Sequence, residues 1–262
     1  MGRIADAFTA LKRDGKKGFI PYITAGDPDL ATTEQLLITL APHATLIELG
    51  VPFSDPMADG PVIQRASERA LKHNFGLQDI LGTAARTRTQ IETPIILFSY
   101  YNPLFQFGLK RLAMALKEAG IDGVLVTDLT PEESGEFEAE LRAHDLDMIF
   151  LIAPTSTDER LKVVAAHASG FIYAVSRAGV TGARETVSAE AEKLVNRMRE
   201  FSSLPIAVGF GISNAAQVAD VSRYADAVVV GSAIVAEMER LAGEPGLVRR
   251  MGEFLDRITG FS

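Results

Sequence analysis

The chain has 262 residues, 47% hydrophobic and 23% charged, the composition of a globular protein and close to the roughly 250 residues typical of an α/β barrel. It contains no cysteine, which excludes disulfides, thiolate catalysis and cysteine-based metal sites and is compatible with a reducing cytoplasm. The formal net charge of −8, without a compensating basic stripe, argues against nucleic acid and anionic membrane as partners, and no apolar run is long enough to span a bilayer.

Ile4, Phe8 and Leu11 recur on one face of an N-terminal helix that ends by Gly15. Its polar character is not that of a signal peptide, and Gly2 lacks the downstream Ser or Thr of a myristoylation signal. GFIPYITAGDP reads as a first strand with its turn at Gly26-Asp27-Pro28, and a helix follows to about His43. TLIELG is the second strand. Pro61 opens a helix to about His73, Gly76 stops it, and a further helical piece covers Leu77 to about Ile91. PIILFSYYNP is the third strand, after which Asn102 is predicted to cap a helix with Pro103 just inside it. That helix carries the stripe Leu109, Leu112, Ala113 and Leu116 and closes at Gly120. GVLVTDL is the fourth strand, with Thr130, Pro131 and Glu133 as a predicted capping box, and DMIFLIAP is the fifth, with Ser156 and Glu159 as a second box. GFIYAVSRAG is the sixth, followed by the polar loop VTGARE and a helix from about Ser188. LPIAVGFGI is the seventh, with Ser213 or Asn214 capping its helix. DAVVVGSAI is the eighth, and two C-terminal helical pieces carry Leu247, Met251, Leu255 and Ile258.

Continuous apolar strands alternating with helices imply a parallel sheet covered by helices. Eight such units, with no linker or composition break between them, close most simply as a (β/α)8 TIM barrel with an extra N-terminal helix, one domain over residues 1–262. A doubly wound open sheet is the weaker alternative, since no G-x-G-x-x-G follows the first strand.

In such a barrel the active site lies at the carboxyl ends of the strands. Glu48 stands in the apolar part of the second strand, alternating with Leu46 and Gly50. It is either a rim carboxylate paired with an arginine or an acid/base held in the barrel mouth, where desolvation raises its pKa toward working pH. Asp59, just before Gly60-Pro61, is either a helix cap or a second functional carboxylate, although Pro61 at the first helical position moves the cap to Gly60. Asp55 reads as a turn-former or partner contact, and Asp27 and Asp128 as substrate-hydroxyl ligands or turn stabilisers. The turns Gly209-Phe210-Gly211-Ile212-Ser213 and Gly231-Ser232-Ala233 fall where these barrels bind phosphate between loop amides and a helix N-terminus. Gly179-Val180-Thr181-Gly182 has the small residues of a mobile lid or of an ordinary surface loop. Tyr22, Phe53, Leu97, Tyr173 and Phe210, near strand ends, are either pocket lining for an aromatic group or core. The four histidines fall on predicted helices or their ends and no predicted strand ends in Lys, so neither a metal site, a histidine base nor a Schiff base is indicated. Carboxylate acid/base chemistry on a phosphorylated small molecule, without a cofactor, remains.

The segment LIELGVPFSDPMADGPVIQ, residues 46–64, resembles the signature of the tryptophan synthase alpha subunit family, and the likeness continues in order through PYITAGDP, YYNPLF, VLVTDLTPEE, YAVSRAGVTG and VGFGIS. The resemblance implies a lyase that splits indole-3-glycerol phosphate into indole and glyceraldehyde 3-phosphate in tryptophan biosynthesis. It places Glu48 as the general acid/base and Asp59 as the carboxylate that binds the indole N–H. Gly182, Gly211, Gly231 and Ser232 match phosphate-binding positions, Tyr22, Tyr173 and Phe210 the organic pocket, and Thr181 the lid threonine. It also implies a cytoplasmic αββα complex with a beta subunit that carries pyridoxal phosphate, contacted through Asp55, Asn102 and Pro103, with no cofactor or metal in this chain. Thr130 stands where the family usually has Pro. A stand-alone lyase releasing free indole, and a non-catalytic activator of the beta subunit, are the alternatives; intact Glu48 and Asp59 argue against the second.

Overall fold

The structure, a computed structural model, describes residues 2–176, 187–209 and 211–260. Helix α1 (Arg3–Arg13) precedes β1 (Gly18–Thr24), α2 (Leu30–Leu40), β2 (Ile47–Gly50), α3 (Pro61–Leu71) and α4 (Leu77–Arg88). The middle of the chain forms β3 (Ile95–Ser99), α5 (Tyr101–Phe107), α6 (Leu109–Glu118), β4 (Gly123–Val126), α7 (Gly135–Ala143), β5 (Asp147–Ile152) and α8 (Asp158–His167). It ends with β6 (Ile172–Val175), α9 (Val187–Arg199), β7 (Ile206–Gly209), α10 (Ala215–Val221), β8 (Ala227–Val230), α11 (Ser232–Leu241) and α12 (Leu247–Thr259). The strands pair in parallel in sequence order and β8 pairs with β1. The sheet is therefore the expected closed barrel, and the open doubly wound alternative is excluded.

Strand parity sorts the side chains into two layers. Ile20, Leu46, Ile96, Leu125, Ile149 and Val229 point into the lumen, while alternating neighbours such as Ile23, Ile47, Leu97 and Val124 belong to the larger core beneath the helices. The extra helix α1 has a structural use. Its Ile4 and Phe8 join the lumen cluster, with Phe8 at 5.9 Å from the Phe171 ring, so α1 stoppers one end of the barrel and leaves the other for chemistry. Among the described residues no helix is long and apolar enough to cross a membrane, and no group of three potential metal-ligating side chains occurs.

Several local expectations are corrected. Asn102 is not a cap: α5 starts at Tyr101, whose amide donates to Asp128 Oδ1 at 2.7 Å from a different loop. The helix after β3 is also split, because Gly108 at φ +89° ends α5 and starts α6. Thr130 and Glu133 bond to each other at 2.9 Å in a turn closed by the Glu133 amide on the Thr130 carbonyl, and α7 begins only at Gly135. That turn is no capping box. Thr157, not Ser156, caps α8 by accepting from the Arg160 amide, while the Ser156 hydroxyl is taken by the Ala153 amide. At α10 the cap is Asn214.

Candidate active site

Glu48 lies in register with Tyr22 on β1 and Ile96 on β3, between Leu46 and Gly50 on the lumen face. It is 1% exposed and its Oε1 has no hydrogen-bond partner. The rim reading is thereby ruled out. A carboxylate cut off from water and from counter-charge prefers its proton, and burial holds the Glu48 pKa well above the usual carboxylate range. Two tyrosine hydroxyls share this environment: Tyr22 and Tyr173 are pushed up by burial first, with the negative charge of Glu48 adding to both.

Glycines at the strand ends make room for these rings. A Cβ on Gly50 would stand 2.1 Å from Tyr22 Oη, and one on Gly209 would stand 2.2 Å from Tyr173 Oη. Neither contact is physically possible, so any side chain at these positions displaces a pocket wall. Tyr22 Oη also sits 3.3 Å from Thr24 Oγ1, and the Tyr22 ring meets Phe98 edge-on at 5.4 Å. Leu97, read as either pocket lining or core, points outward into the helix-facing core. Phe98 takes its place, because the true pleat of β3 puts even-numbered residues inside.

Asp59 ends the loop between β2 and α3. Gly60 is the N-cap and Pro61 the first helical residue, so Asp59 is not spent on capping. The loop turns back through an Asp59 amide bond to the Pro56 carbonyl at 3.1 Å, and Gln64 Nε2 holds the Asp59 carbonyl at 2.8 Å. Half-buried, the carboxyl is raised by desolvation to about 6, against which a hydrogen bond from Tyr100 acts. Tyr100 is the residue that sequence reasoning missed. Its hydroxyl donates to Asp59 and accepts the Ala58 amide at 2.9 Å, and its ring packs on Phe53 at 5.1 Å. Its position directly after the β3 run, in YYNP, was the available signal.

Across β1 from the β2 loop, Gly231 stands as N-cap of α11 with Ser232 first in the helix, and a Cβ on Gly231 would lie 3.4 Å from Tyr22 Cβ. The helix N-terminus thus abuts the pocket wall, its unpaired amides and dipole favouring an anion. Gly211 adopts φ +78° in open space, and the next turn is tied by Gln217 Oε1, which accepts the Ser213 amide at 2.8 Å. Phe210, Thr181, Gly182 and the rest of the proposed lid lie outside the described residues. Asp27 is a turn residue bonded to Arg69, and Asp128 accepts the Tyr101 amide at the start of α5, so both serve as turn stabilisers.

A closed (β/α)8 barrel that carries at its mouth a buried carboxyl with one unpartnered oxygen and a second raised carboxyl has the architecture of a barrel enzyme. The profile of the tryptophan synthase alpha chain family matches residues 8–256. The sequence is 51% identical to the tryptophan synthase alpha chain of Geotalea daltonii over 93% of each chain. It is 52% identical to that of Geobacter sulfurreducens, over 92% of this chain and 91% of that one. Among solved structures, the alpha subunit of Legionella pneumophila superposes with a TM-score of 0.90 at 39% identity, over 97% of this chain and 96% of that one. The alpha chain in the a2b2 complex of Pyrococcus furiosus does so with a TM-score of 0.86 at 39% identity, over 93% and 98%. The chain belongs to the tryptophan synthase alpha chain family, and it is a lyase.

Proposed function

We infer that Glu48 and Asp59 carry out the retro-aldol cleavage of indole-3-glycerol phosphate, with residues 1–262 acting as one catalytic unit of tryptophan biosynthesis. The observation that carries the assignment is the partnerless Oε1 of a fully buried Glu48 facing the lumen. A carboxyl whose burial favours its protonated form can deliver that proton to the ring carbon bearing the side chain. The ring then holds a positive charge shared with its nitrogen, and the Asp59 carboxylate accepts the indole N–H and stabilises that charge. Glu48, now a carboxylate, takes the proton of the adjacent side-chain hydroxyl. The carbon–carbon bond breaks as its electrons return to the ring, the hydroxyl carbon becomes an aldehyde, and the proton on Glu48 is restored. Ring protonation supplies the electron sink, and the alpha chains of this family need no cofactor of their own.

Tyr22 and Tyr173 enclose the organic part, and Gly211, Gly231 and Ser232 hold the phosphate; Phe210, Gly182 and Thr181 match the family's positions for the pocket, the phosphate and the lid. Glu48→Gln is expected to abolish cleavage and leave inhibition by inorganic phosphate nearly intact. Near-normal turnover of that variant would remove Glu48 from the acid/base role.

The partner is a beta subunit carrying pyridoxal phosphate, in an αββα complex in the cytoplasm. Supporting this, the Pyrococcus furiosus relative is described as an a2b2 complex with mutual activation. Here Asp55, Asn102 and Pro103 lie on two neighbouring segments that also expose Met57 at 86% and Phe105 at 56%, large apolar groups of the kind interfaces cover. Turnover measured with and without a beta subunit tests the pairing. Full activity alone, unchanged by the partner, favours a stand-alone lyase.

A further inference from the structure

Beside the barrel mouth, four charged side chains from three segments form one continuous network. Arg69 of α3 grips Asp27, in the turn after β1, through Nε and Nη2 at 2.8 Å each, and donates Nη1 to Glu239 Oε1 of α11 at 2.7 Å. Arg65, one helical turn earlier, closes a second fork on Glu239 at 2.8 and 2.7 Å. The Asp27 side chain is 3% exposed and that of Arg69 23%, so water and salt screen this inner half weakly.

Two of the joined segments carry opposite ends of the proposed site. α3 starts two residues after Asp59, and α11 starts at Ser232 of the phosphate cradle. Between them lies a small apolar cluster of Tyr22, Ile63, Ala66 and Val235. Apolar contact is non-directional and tolerates sliding of one helix on another. A bidentate guanidinium–carboxylate fork does not, because its paired bonds fix both distance and angle.

We propose that Arg69 is a positioning residue which, through Glu239, sets the separation between Asp59 and the Gly231–Ser232 amides, so that one substrate engages both ends at once. The inference rests on the assignment of those two subsites. It separates from a general structural role because a ligand occupying one end does not need the separation, whereas indole-3-glycerol phosphate needs it to within a fraction of an ångström.

The test uses the full chain carrying Arg69→Lys, which leaves Asp27 a cation without the fork, and Glu239→Gln. Each is assayed for kcat and KM with indole-3-glycerol phosphate and for inhibition by inorganic phosphate and by indole, well below its melting temperature. The expected result is a loss of about tenfold or more in kcat/KM for both, with both inhibition constants within about twofold of wild type. The double variant should lose no more than the worse single, since both cut one link. Unchanged kcat/KM in Arg69→Lys and Glu239→Gln, beside an impaired Asp59→Asn, overturns this inference alone. So does a parallel weakening of inorganic phosphate, which would make the network a prop of the cradle only. Full activity of Asp59→Asn removes the subsite assignment, and this inference with it.

Discussion

Replacing Tyr100 by Phe removes one oxygen and leaves the ring packed on Phe53. That oxygen donates to the Asp59 carboxylate and so lowers a pKa that burial has lifted to about 6. A hydrogen bond to a charged group contributes about 1.5–3 kcal/mol, and one pKa unit corresponds to about 1.4 kcal/mol. Asp59 is half-buried, so water replaces part of the lost bond and the lower bound applies, a rise of about one unit. The Ala58 amide also loses its acceptor, but Ala58 is exposed and turns to water. Because Asp59 acts as a carboxylate, the acid limb of kcat/KM follows its ionisation in the free enzyme. That limb should lie near 6 in the wild type and move toward alkaline pH in the variant, with activity converging well above both pKa values. The assay is glyceraldehyde 3-phosphate release at substrate concentrations below KM, from about pH 5 to 9. An acid limb that stays put, or moves toward acid, refutes the hydrogen-bond assignment.

The stability of Glu48→Gln should depend on pH in a defined direction. Burial raises the Glu48 pKa in the folded state, so the fold binds a proton that the unfolded chain gives up at lower pH, and wild-type stability is lost as pH rises through the folded pKa. Gln carries no such penalty, so thermal melts should show the variant gaining on wild type as pH rises, and a constant difference would contradict it. Gly209→Ala places a Cβ 2.2 Å from Tyr173 Oη and 2.9 Å from Val229 Cβ; overpacking should cost about 1–3 kcal/mol in denaturant titration and, by displacing the ring, about a hundredfold in kcat/KM. Unchanged stability and rate would show that the ring has room to yield. Gly211→Asp meets open space at φ +78°, where any L side chain is strained and Asp less than most, so the salt dependence separates its charge from that strain. Inhibition by inorganic phosphate should weaken by roughly five- to thirtyfold, for about 1–2 kcal/mol of repulsion, and less so at high salt; equal inhibition would move the phosphate elsewhere.

Much of the site was legible because two local rules reach it directly. Alternation in Leu46, Glu48 and Gly50 puts the carboxylate on one face with residues that suit a lumen, and Pro61 at the start of a helix releases Asp59 from capping. At β3 the sequence left Leu97 open between pocket and core, and the pleat decides it: Leu97 faces the helices and Phe98 the lumen, since a shift of one residue exchanges every side chain between the faces. Capping residues failed where the partner is remote. Asp128 reaches Tyr101 across 27 positions and Tyr100 reaches Ala58 across 42, distances at which no spacing rule operates.

Element type and order follow from the chain alone, because apolar runs, glycines and prolines act over a few residues, and so does the placing of a lone carboxylate amid apolar neighbours. Closure of the barrel decided what that carboxylate is. Only when β8 meets β1 and α1 seals the far end is Glu48 shut from water with Tyr22 and Tyr173 beside it and Oε1 unpaired. Desolvation comes from every surrounding strand at once, so the proton affinity of Glu48 is a property of the assembled barrel and not of any segment of it.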